Sequence, residues 1–271
     1  MSGMIPAPTG ATRLYVIVGD PIAQVRSPAG ISAEFAARGH DGILVPVQVA
    51  PADLPDFLSV ATRLKNLDGI VVTIPHKFAC YQACASATER AHFLRTANLM
   101  RRRADRSWHG DMVDGLGFVG AARAKGIDPR GMRALLVGAG GAGSAIALAL
   151  VEAGVSDLAI HDSEPERRDA LIGRLNGLGR TPVRVGTGDP AGFDFVANAT
   201  PAGMKEGDPL PVDVARLAPT AYCGCVITKP EISPFIAEAH KLGCVTATGT
   251  DMYQQHQGIM VDFLLGVDGG R

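Results

Sequence analysis

Apolar and polar positions follow one another along this chain in blocks that predict alternating strands and helices. Apolar runs at 13–20, 42–49 and 67–75 are typical of buried strands, and residues 27–39 and 51–64 between them have helical character. Alternation of this kind is typical of βαβ units, in which helices cover a mostly parallel sheet.

A second series of the same kind begins near Arg133. Its strand-like and helix-like runs alternate at 133–140, 142–154, 156–162, 165–179, 193–200 and 220–228. Two such series predict two α/β domains, and the cleft between such domains is the default place for a binding site.

Composition and charge narrow the class of protein. The 271 residues are 46% hydrophobic and 5% aromatic, and 33 glycines favour tight βα turns over a sandwich packed with rings. The formal charge of −1 predicts no nucleic-acid partner. No run reaches the roughly 18 apolar residues of a membrane span, so no membrane partner is expected either. The arginine cluster at 101–103 is expected in a solvated loop.

The cysteines bear on compartment and metal content. Five of them are scattered along the chain, which favours a reducing cytoplasm over a disulfide framework. Cys223 and Cys225 form a C-x-C pair, but no second pair or histidine cluster completes a zinc set. We therefore expect a cytoplasmic protein without a metal site.

The stretch "LLVGAGGAGSA" has the G-x-G-x-x-G spacing of a dinucleotide-binding turn, at Gly138, Gly140 and Gly143. A strand precedes it and a helix of small residues follows, which favours this interpretation over an ordinary βα turn. Such glycines let the backbone approach a pyrophosphate, which the N-terminus of the helix then holds. The loop between them adds Ala139, Gly141 and Ala142 to the predicted cofactor contacts.

The strand after this loop ends in Asp162, a position that bears on the choice of cofactor. A carboxylate there accepts hydrogen bonds from the adenosine ribose and repels a 2′-phosphate, which favours NAD. Arg167 and Arg168 instead favour NADP, because a nearby guanidinium can bind that phosphate. We favour NAD and keep NADP as the alternative.

Candidate chemistry lies at two further places. The stretch "VVTIPHK" (71–77) is a buried strand that ends in Lys77, which is either a residue pointing into water or a proton-handling group. The stretch "HGDMVDGLGF" supplies Asp111 and Asp114 in a glycine-rich turn. Asp114 and Lys77 form an acid/base couple if the fold brings them together, whereas an isolated loop aspartate is more often a turn former.

Several separated stretches follow the motif order of one family. They are "GDPIAQVRSP", "VVTIPHK", "TANLM", "GDMVDGLGF", "GAGGAG" and "NATPAGM". On these motifs the chain resembles the shikimate dehydrogenases and their quinate-oxidising relatives. The resemblance implies a substrate domain at 1–118, a Rossmann domain at 119–249 and a C-terminal helix at about 250–271 that returns to the first domain.

The resemblance also implies roles for single residues. Lys77 and Asp114 take the catalytic positions. The substrate-binding positions are Ser27, Thr73, Asn98 and Thr228. Further cofactor contacts are implied at Ala199, Thr200, Pro201, Met204, Gly249 and Met252. The implied reaction is reversible hydride transfer between a nicotinamide and a ring hydroxyl of a cyclohexene carboxylate, such as the interconversion of 3-dehydroshikimate and shikimate.

The chain departs from the family pattern at substrate contacts. Val25 replaces the first of two carboxylate-binding serines, and the loss of that hydroxyl costs about 1–3 kcal/mol unless Arg26 compensates. Thr228 stands where the family has tyrosine. In the pattern G-x-x-M-x-x-x-Q the glutamine position falls on His256, with Gln257 one residue later. We favour Gln257 and keep His256 as the alternative.

These departures leave the substrate open. The leading hypothesis is a shikimate dehydrogenase-like oxidoreductase, either a monomer or a homodimer. The alternatives are an NAD-linked quinate or aminoshikimate dehydrogenase and, in another class, a nicotinamide-binding sensor without catalysis. The presence of both Lys77 and Asp114 argues against the sensor.

Overall fold

The structure is a computed structural model that describes residues 7–267. Its internal contacts divide the chain into two compact units, Met1–Val113 with Gln257–Arg271 (unit 1) and Asp114–His256 (unit 2). The assignment of substrate binding to 1–118 and of cofactor binding to 119–249 stays a prediction.

Unit 1 is built from short strands and helices in alternation. Its strands are β1 (Arg13–Gly19), β2 (Gly42–Gln48), β3 (Leu67–Val72), β4 (Ser86–Ala87), β5 (Leu99–Arg102) and β6 (Trp108–Asp111). Its helices are α1 (Ser27–Ala37), α2 (Leu54–Arg63), α3 (Lys77–Gln82) and α4 (Glu89–Leu94), and a 3₁₀ turn at Pro51–Asp53 precedes α2.

The sheet of unit 1 has the order β2-β1-β3-β5-β6-β4. Strand β1 pairs in parallel with β2 and β3, as the apolar runs predict, whereas β5 is antiparallel to both β3 and β6. Tyr15 on β1 packs its ring 4.5 Å from that of Phe35 on α1, and both side chains are fully buried. Burial of side chains of this size contributes about 1.5–3 kcal/mol each and holds α1 on the sheet.

The expectation of a solvated loop at 101–103 is wrong for Arg101 and Arg102, which lie in β5. The Arg102 guanidinium lies 3.9 Å from the centre of the Trp108 ring and donates a 2.7 Å hydrogen bond to the carbonyl of Ala61 near the end of α2. A cation is favourable at both positions, since the ring face and the C-terminal carbonyls of a helix are electronegative. The arginine therefore ties a helix to the sheet.

Unit 2 has the second βα series. Its strands are β7 (Arg133–Val137), β8 (Asp157–His161), β9 (Val183–Val185), β10 (Phe195–Asn198), β11 (Tyr222–Cys225) and β12 (Val245–Ala247). Its helices are α5 (Asp114–Ala124), α6 (Gly141–Ala153), α7 (Pro165–Asn176) and α8 (Pro234–Lys241), and α9 (Gly249–Leu265) runs from this unit into unit 1.

The sheet of unit 2 is parallel throughout, in the order β12-β11-β10-β7-β8-β9. The order runs outward in both directions from β7 and β10, so the polypeptide winds one way through β8 and β9 and the other way through β11 and β12. This is a Rossmann-type doubly wound sheet, whose ligand sites lie at the carboxyl ends of the strands. The predicted α/β class is confirmed.

Helix α6 is almost wholly buried because its residues are small and apolar. A Cβ added at Gly115 of α5 would lie 2.1 Å from the carbonyl oxygen of Ala145, so only glycine lets these two helices pack this closely.

The second half of α9 belongs to unit 1 and packs against the other elements of that unit. Arg38 of α1 forms ion pairs with Asp262 and, at 2.8 Å, with Glu34. Arg101 donates a 3.2 Å hydrogen bond to the carbonyl of Phe263. Residues 268–271 of the helix expected at about 250–271 lie outside the described residues.

Within the described part of the chain, no helix is both long enough and apolar enough to span a bilayer.

Candidate active site

Lys77 is the first residue of α3 and follows the turn that leaves the buried end of β3. Its side chain is 8% exposed, which does not fit the alternative of a lysine that points into water. The ring of His76 anchors the turn through a 2.7 Å hydrogen bond between Nε2 and the carbonyl oxygen of Val49. A buried strand and a fixed turn therefore hold the lysine in one place.

The segment at Ala97 and Asn98 connects the start of α3 to the glycine-rich turn. The amide of Ala97 donates to the carbonyl of Lys77 at 3.0 Å, and the amide of Val113 donates to Oδ1 of Asn98 at 3.0 Å. Asp114 follows Val113 in the chain, begins α5 and is buried. Because Asp114 belongs to unit 2 and Lys77 to unit 1, their coupling stays a prediction.

Asp111 has a structural role. Its carboxylate accepts hydrogen bonds from the Thr88 hydroxyl at 2.5 Å, from Nε and Nη2 of Arg90 at 2.8 and 2.5 Å, and from the Met112 amide at 2.7 Å. Three of these hydrogen bonds end on Oδ1 and one on Oδ2, so most acceptor positions of the carboxylate are used to hold the turn. Of the two aspartates in the turn, only Asp114 is left as a candidate for proton handling.

Thr73 lies just past β3 and is held by the end of β1. Its amide donates to the carbonyl of Val18 at 2.9 Å. A Cβ added at Gly19 would lie 2.3 Å from Cγ2 of Thr73 and 2.9 Å from the carbonyl oxygen of Ile74. The glycine at the end of β1 therefore lets Thr73 take its position.

Ser27 is the first residue of α1 and is 5% exposed. Its Oγ is buried and has no hydrogen-bond partner in the described part of the chain. Leaving a buried hydroxyl without a hydrogen-bond partner costs about 1–3 kcal/mol of folding free energy, so a ligand group that accepts a hydrogen bond from it would be favoured here. Val25 is half-buried and Arg26 is exposed.

Gln257 and His256 are adjacent in α9 but fall in different units. Gln257 donates from Nε2 to the carbonyl of Gly30 in α1 at 3.2 Å, three residues after Ser27. The buried His256 lies with Nδ1 2.7 Å from the carbonyl oxygen of Met252. A carbonyl only accepts, so Nδ1 carries the hydrogen. The contact with α1 supports Gln257, and the choice between the two stays a prediction.

The stretch at 225–228 lies against the start of α9. A Cβ at Gly249 would lie 2.4 Å from the carbonyl oxygen of Val226, and the Gly249 amide donates to the carbonyl of Ile227 at 3.1 Å. Cys225 is buried and accepts a 3.3 Å hydrogen bond at Sγ from Nδ2 of Asn198, and burial raises the pKa of its thiol. Thr228 is half-buried.

The glycine-rich loop of unit 2 has the backbone that a dinucleotide needs. Gly138 has a φ of +105°, and a Cβ at Gly143 would lie 2.0 Å from the carbonyl oxygen of Gly138. Gly140 caps α6, and a Cβ there would meet nothing within 4 Å. The first turn of α6, at Gly141 and Ala142, is half-buried. The loop therefore offers open space at a helix N-terminus, which fits a pyrophosphate.

The "NATPAGM" loop, with Ala199, Thr200, Pro201 and Met204, lies beside this turn. A Cβ on Gly138 would lie 2.9 Å from the carbonyl carbon of Ala199. Oδ1 of Asn198 accepts from the amide and hydroxyl of Thr200 at 3.0 and 2.7 Å, and the Asp208 carboxylate accepts from the Gly203 amide at 3.1 Å. The loop is thus held at both ends. Met252 is buried in the first turns of α9.

Asp162 follows β8 and is 6% exposed. It accepts from the amides of Ala139 and Glu164 at 2.5 and 2.8 Å, and Nη2 of Arg167 lies 2.7 and 3.0 Å from its two oxygens. Burial raises the pKa of the carboxyl, but the two amides and the Arg167 guanidinium outweigh it and lower the pKa below its usual value. The aspartate is thus a charged link between the strand end and the glycine-rich loop.

A known protein of similar sequence decides the family. A protein of Rubrobacter xylanophilus named shikimate dehydrogenase (NADP(+)) is 35% identical over 260 residues, which cover 94% of this chain and 91% of that protein. The chain belongs to the shikimate dehydrogenase family. As a member it is an oxidoreductase that acts on CH–OH groups.

The family is also recognised in parts of the chain and in the fold. The family model described as shikimate dehydrogenase substrate binding domain matches residues 17–100. The quinate dehydrogenase of Corynebacterium glutamicum in complex with NAD is 29% identical, with a TM-score of 0.82 over 94% of each chain. The ligand-free 5-ketofructose reductase of Gluconobacter sp. strain CHM43 is 25% identical, with a TM-score of 0.80 over 94% of this chain and 93% of that one. The resemblance drawn from the motifs is confirmed.

Some residues of this shikimate dehydrogenase family site carry no signal in the motifs. His76 anchors the lysine turn through Val49, a contact over 27 residues that no local pattern announces. The Arg90 partner of Asp111 lies 21 residues earlier. The pairing of Arg167 with Asp162 spans only five residues, and the acidic residues followed by two arginines in this stretch are a signal for it. Residues 7–267 contain no group of three metal-binding side chains.

Proposed function

We propose that this chain catalyses reversible hydride transfer between a nicotinamide dinucleotide and a ring hydroxyl of shikimate or a close analogue. The observation that carries the proposal is the buried Lys77, linked through Ala97 and Asn98 to the residue before Asp114. Lysine and aspartate are suited to exchange a carbinol proton when both are held away from bulk water.

In the proposed oxidation the substrate C–H leaves as hydride and its O–H proton passes to the Lys77 and Asp114 couple, leaving a ketone. A bound nicotinamide supplies the hydride acceptor. Lys77 orients the hydroxyl and its amine accepts the proton, and Asp114 holds the ammonium group that this transfer forms. The reverse reaction returns the proton to the ketone oxygen.

Substrate binding is proposed for the polar groups around the start of α1 and the end of β3. Ser27 supports this assignment most directly, because its buried hydroxyl has no hydrogen-bond partner among residues 7–267. Thr73, Asn98 and Gln257 complete the proposed set in unit 1. Thr228 and His256 are proposed as further contacts from unit 2.

The cofactor is proposed to bind along the glycine-rich loop at Gly138–143 and the "NATPAGM" loop, with Gly249 and Met252 as further contacts. Curated relatives at 35 and 34% identity are named for NADP(+), whereas the quinate dehydrogenase neighbour was solved with NAD. We propose NAD, because two carboxylates, Asp162 and Glu164, follow β8 and disfavour a 2′-phosphate. NADP is the competing cofactor.

A second candidate function is NAD-linked oxidation of quinate. It is supported by the acidic end of β8 and by the 29% identity to the quinate dehydrogenase solved with NAD. We further propose a cytoplasmic enzyme, monomeric or homodimeric, with small-molecule partners.

The test is a matrix of shikimate, quinate, aminoshikimate and 5-ketofructose against NAD and NADP in both oxidation states, followed by the absorbance of the reduced nicotinamide. We expect turnover with at least one ring acid and a preference for NAD. Turnover of 5-ketofructose alone would contradict the ring-acid assignment. Binding of nucleotide without turnover of any substrate would contradict the enzyme and favour the sensor.

A further inference from the structure

The acidic end of β8 contains two carboxylates in very different surroundings. Asp162 is buried, whereas the side chain of Glu164, two residues later, is 66% exposed. Both contact the same guanidinium: Nη2 of Arg167 lies 2.7 Å from Asp162, and Nη1 lies 3.1 Å from Glu164. The Nε of Arg168 pairs with Asp169 at 2.8 Å, and its charge also interacts with that of Asp162.

Asp162 has no acceptor position left for a ligand. Its oxygens accept the Ala139 amide, the Glu164 amide and, twice, Nη2 of Arg167, and a carboxylate has about four acceptor positions. A ribose hydroxyl would have to displace one of these bonds from a buried charge, which is unfavourable. The expected ribose contact is therefore better served by another residue.

We propose that Asp162 is a positioning residue that holds the Ala139 amide and Arg167, and that Glu164 is the carboxylate that reads the adenosine ribose and selects against a 2′-phosphate. This inference rests on the proposed nicotinamide-dependent function. Glu164 is the cap residue of α7, and its side chain makes no capping hydrogen bond. Its exposed carboxylate keeps acceptor positions beyond the one that faces Arg167.

The same geometry explains how Arg167 stays compatible with NAD. Both of its terminal nitrogens are held by carboxylates, and the three side chains together carry a formal charge of −1. A dianionic 2′-phosphate is repelled by that charge and meets a guanidinium whose Nη1 and Nη2 both face carboxylates. The Nε of Arg167 is buried and has no hydrogen-bond partner among the described residues. Loss of the Glu164 charge frees Nη1 and removes the repulsion.

The experiment measures Kd by titration calorimetry for NAD, 2′-deoxy-NAD and NADP with the full chain and its variants. The affinity lost on removing the 2′-hydroxyl reports the hydrogen bond, and its disappearance in a variant identifies the acceptor. We expect Glu164→Gln to reduce this loss from about tenfold to about twofold and to shift selectivity about tenfold toward NADP. Glu166→Gln, on the exposed first turn of α7, is the matched control and should change neither value.

Asp162→Asn should weaken all the nucleotides by a similar factor, because the asparagine amide nitrogen replaces an acceptor of a backbone N–H. The affinity lost on removing the 2′-hydroxyl should persist in the Asp162→Asn variant. Persistence of the full loss in Glu164→Gln would overturn the inference, whatever the Asp162 variant does. Failure of the unmodified chain to bind any of the nucleotides would instead overturn the proposed function.

Discussion

At the scale of single residues, three buried charged side chains of the candidate site are assigned different roles. Lys77 is buried at the start of α3, where a strand end and the His76 anchor hold it. Asp111 is also buried, but its acceptor positions are used by Thr88, Arg90 and Met112. The proposed chemistry therefore needs Lys77 and Asp114 and leaves Asp111 to hold the turn.

Replacement of Lys77 by alanine should lower kcat about 10²–10⁴-fold, because the carbinol proton loses its positioned acceptor. The measurement is steady-state kinetics with the best substrate found in the matrix. Lys65→Ala, at an exposed lysine of the same unit, is the control and should leave kcat unchanged. An unaltered rate in Lys77→Ala would return this lysine to a structural role.

Asp111→Asn should reduce the free energy of unfolding by about 1–3 kcal/mol, since an amide nitrogen replaces an oxygen that accepts hydrogen bonds at a buried position and the half-buried Arg90 loses its anionic partner. Urea denaturation followed by circular dichroism checks this value. A loss of activity with unchanged stability would show that Asp111 belongs to the chemistry.

At the scale of elements, close backbone approaches hold the site together. Gly19 ends β1 against Thr73, so Gly19→Ala should force a shift of the turn after β3 and cost about 1–3 kcal/mol. We expect KM for the substrate to rise as well, because Thr73 moves. Gly10→Ala is the control, since a Cβ there meets nothing within 4 Å. Equal stability of the two variants, by thermal denaturation, would contradict the account of this turn.

Helix α9 begins with a reciprocal cap. The Thr248 amide donates to Asp251 at 2.8 Å, and the Asp251 amide donates to the Thr248 hydroxyl at 3.2 Å. Burial raises the pKa of Asp251, but the amide and hydroxyl of Thr248, which both donate to its carboxylate, and Lys125 at 2.9 Å outweigh it and lower the pKa below its usual value. The folded state therefore binds this proton less readily than the unfolded chain, which makes the ionised cap a source of stability.

Asp251→Asn should cost about 1 kcal/mol at neutral pH. The difference from the unmodified chain should persist above the unfolded pKa of about 3.9 and vanish as the pH falls through the lower folded value. Urea unfolding at a series of pH values checks this. A difference that grows on acidification would mean that the sign of the pKa shift is wrong.

At the scale of the whole molecule, both βα series follow from the apolar pattern, because parallel strands and the helices that cover them are each apolar over a full element. The apolar pattern does not predict the hairpin of β5 and β6, because Arg101 and Arg102 interrupt it. In the fold these two arginines pack against Phe263 and Trp108. The order of the motifs along the chain predicts the family. The sequence does not show that the acceptor positions of Asp162 are occupied, because one of its hydrogen bonds comes from the amide of Ala139, 23 residues away in the chain.

The central claim is that the chain moves hydride between a ring hydroxyl and a nicotinamide by means of Lys77. The most direct measurement incubates the chain and its Lys77→Ala variant with shikimate or quinate and NAD or NADP, and records the reduced nicotinamide together with the ketone product. The account predicts equal amounts of the two products from the unmodified chain and a rate lower by about 10²–10⁴ in the variant. Tight nucleotide binding with no reduced nicotinamide from any pairing would contradict it.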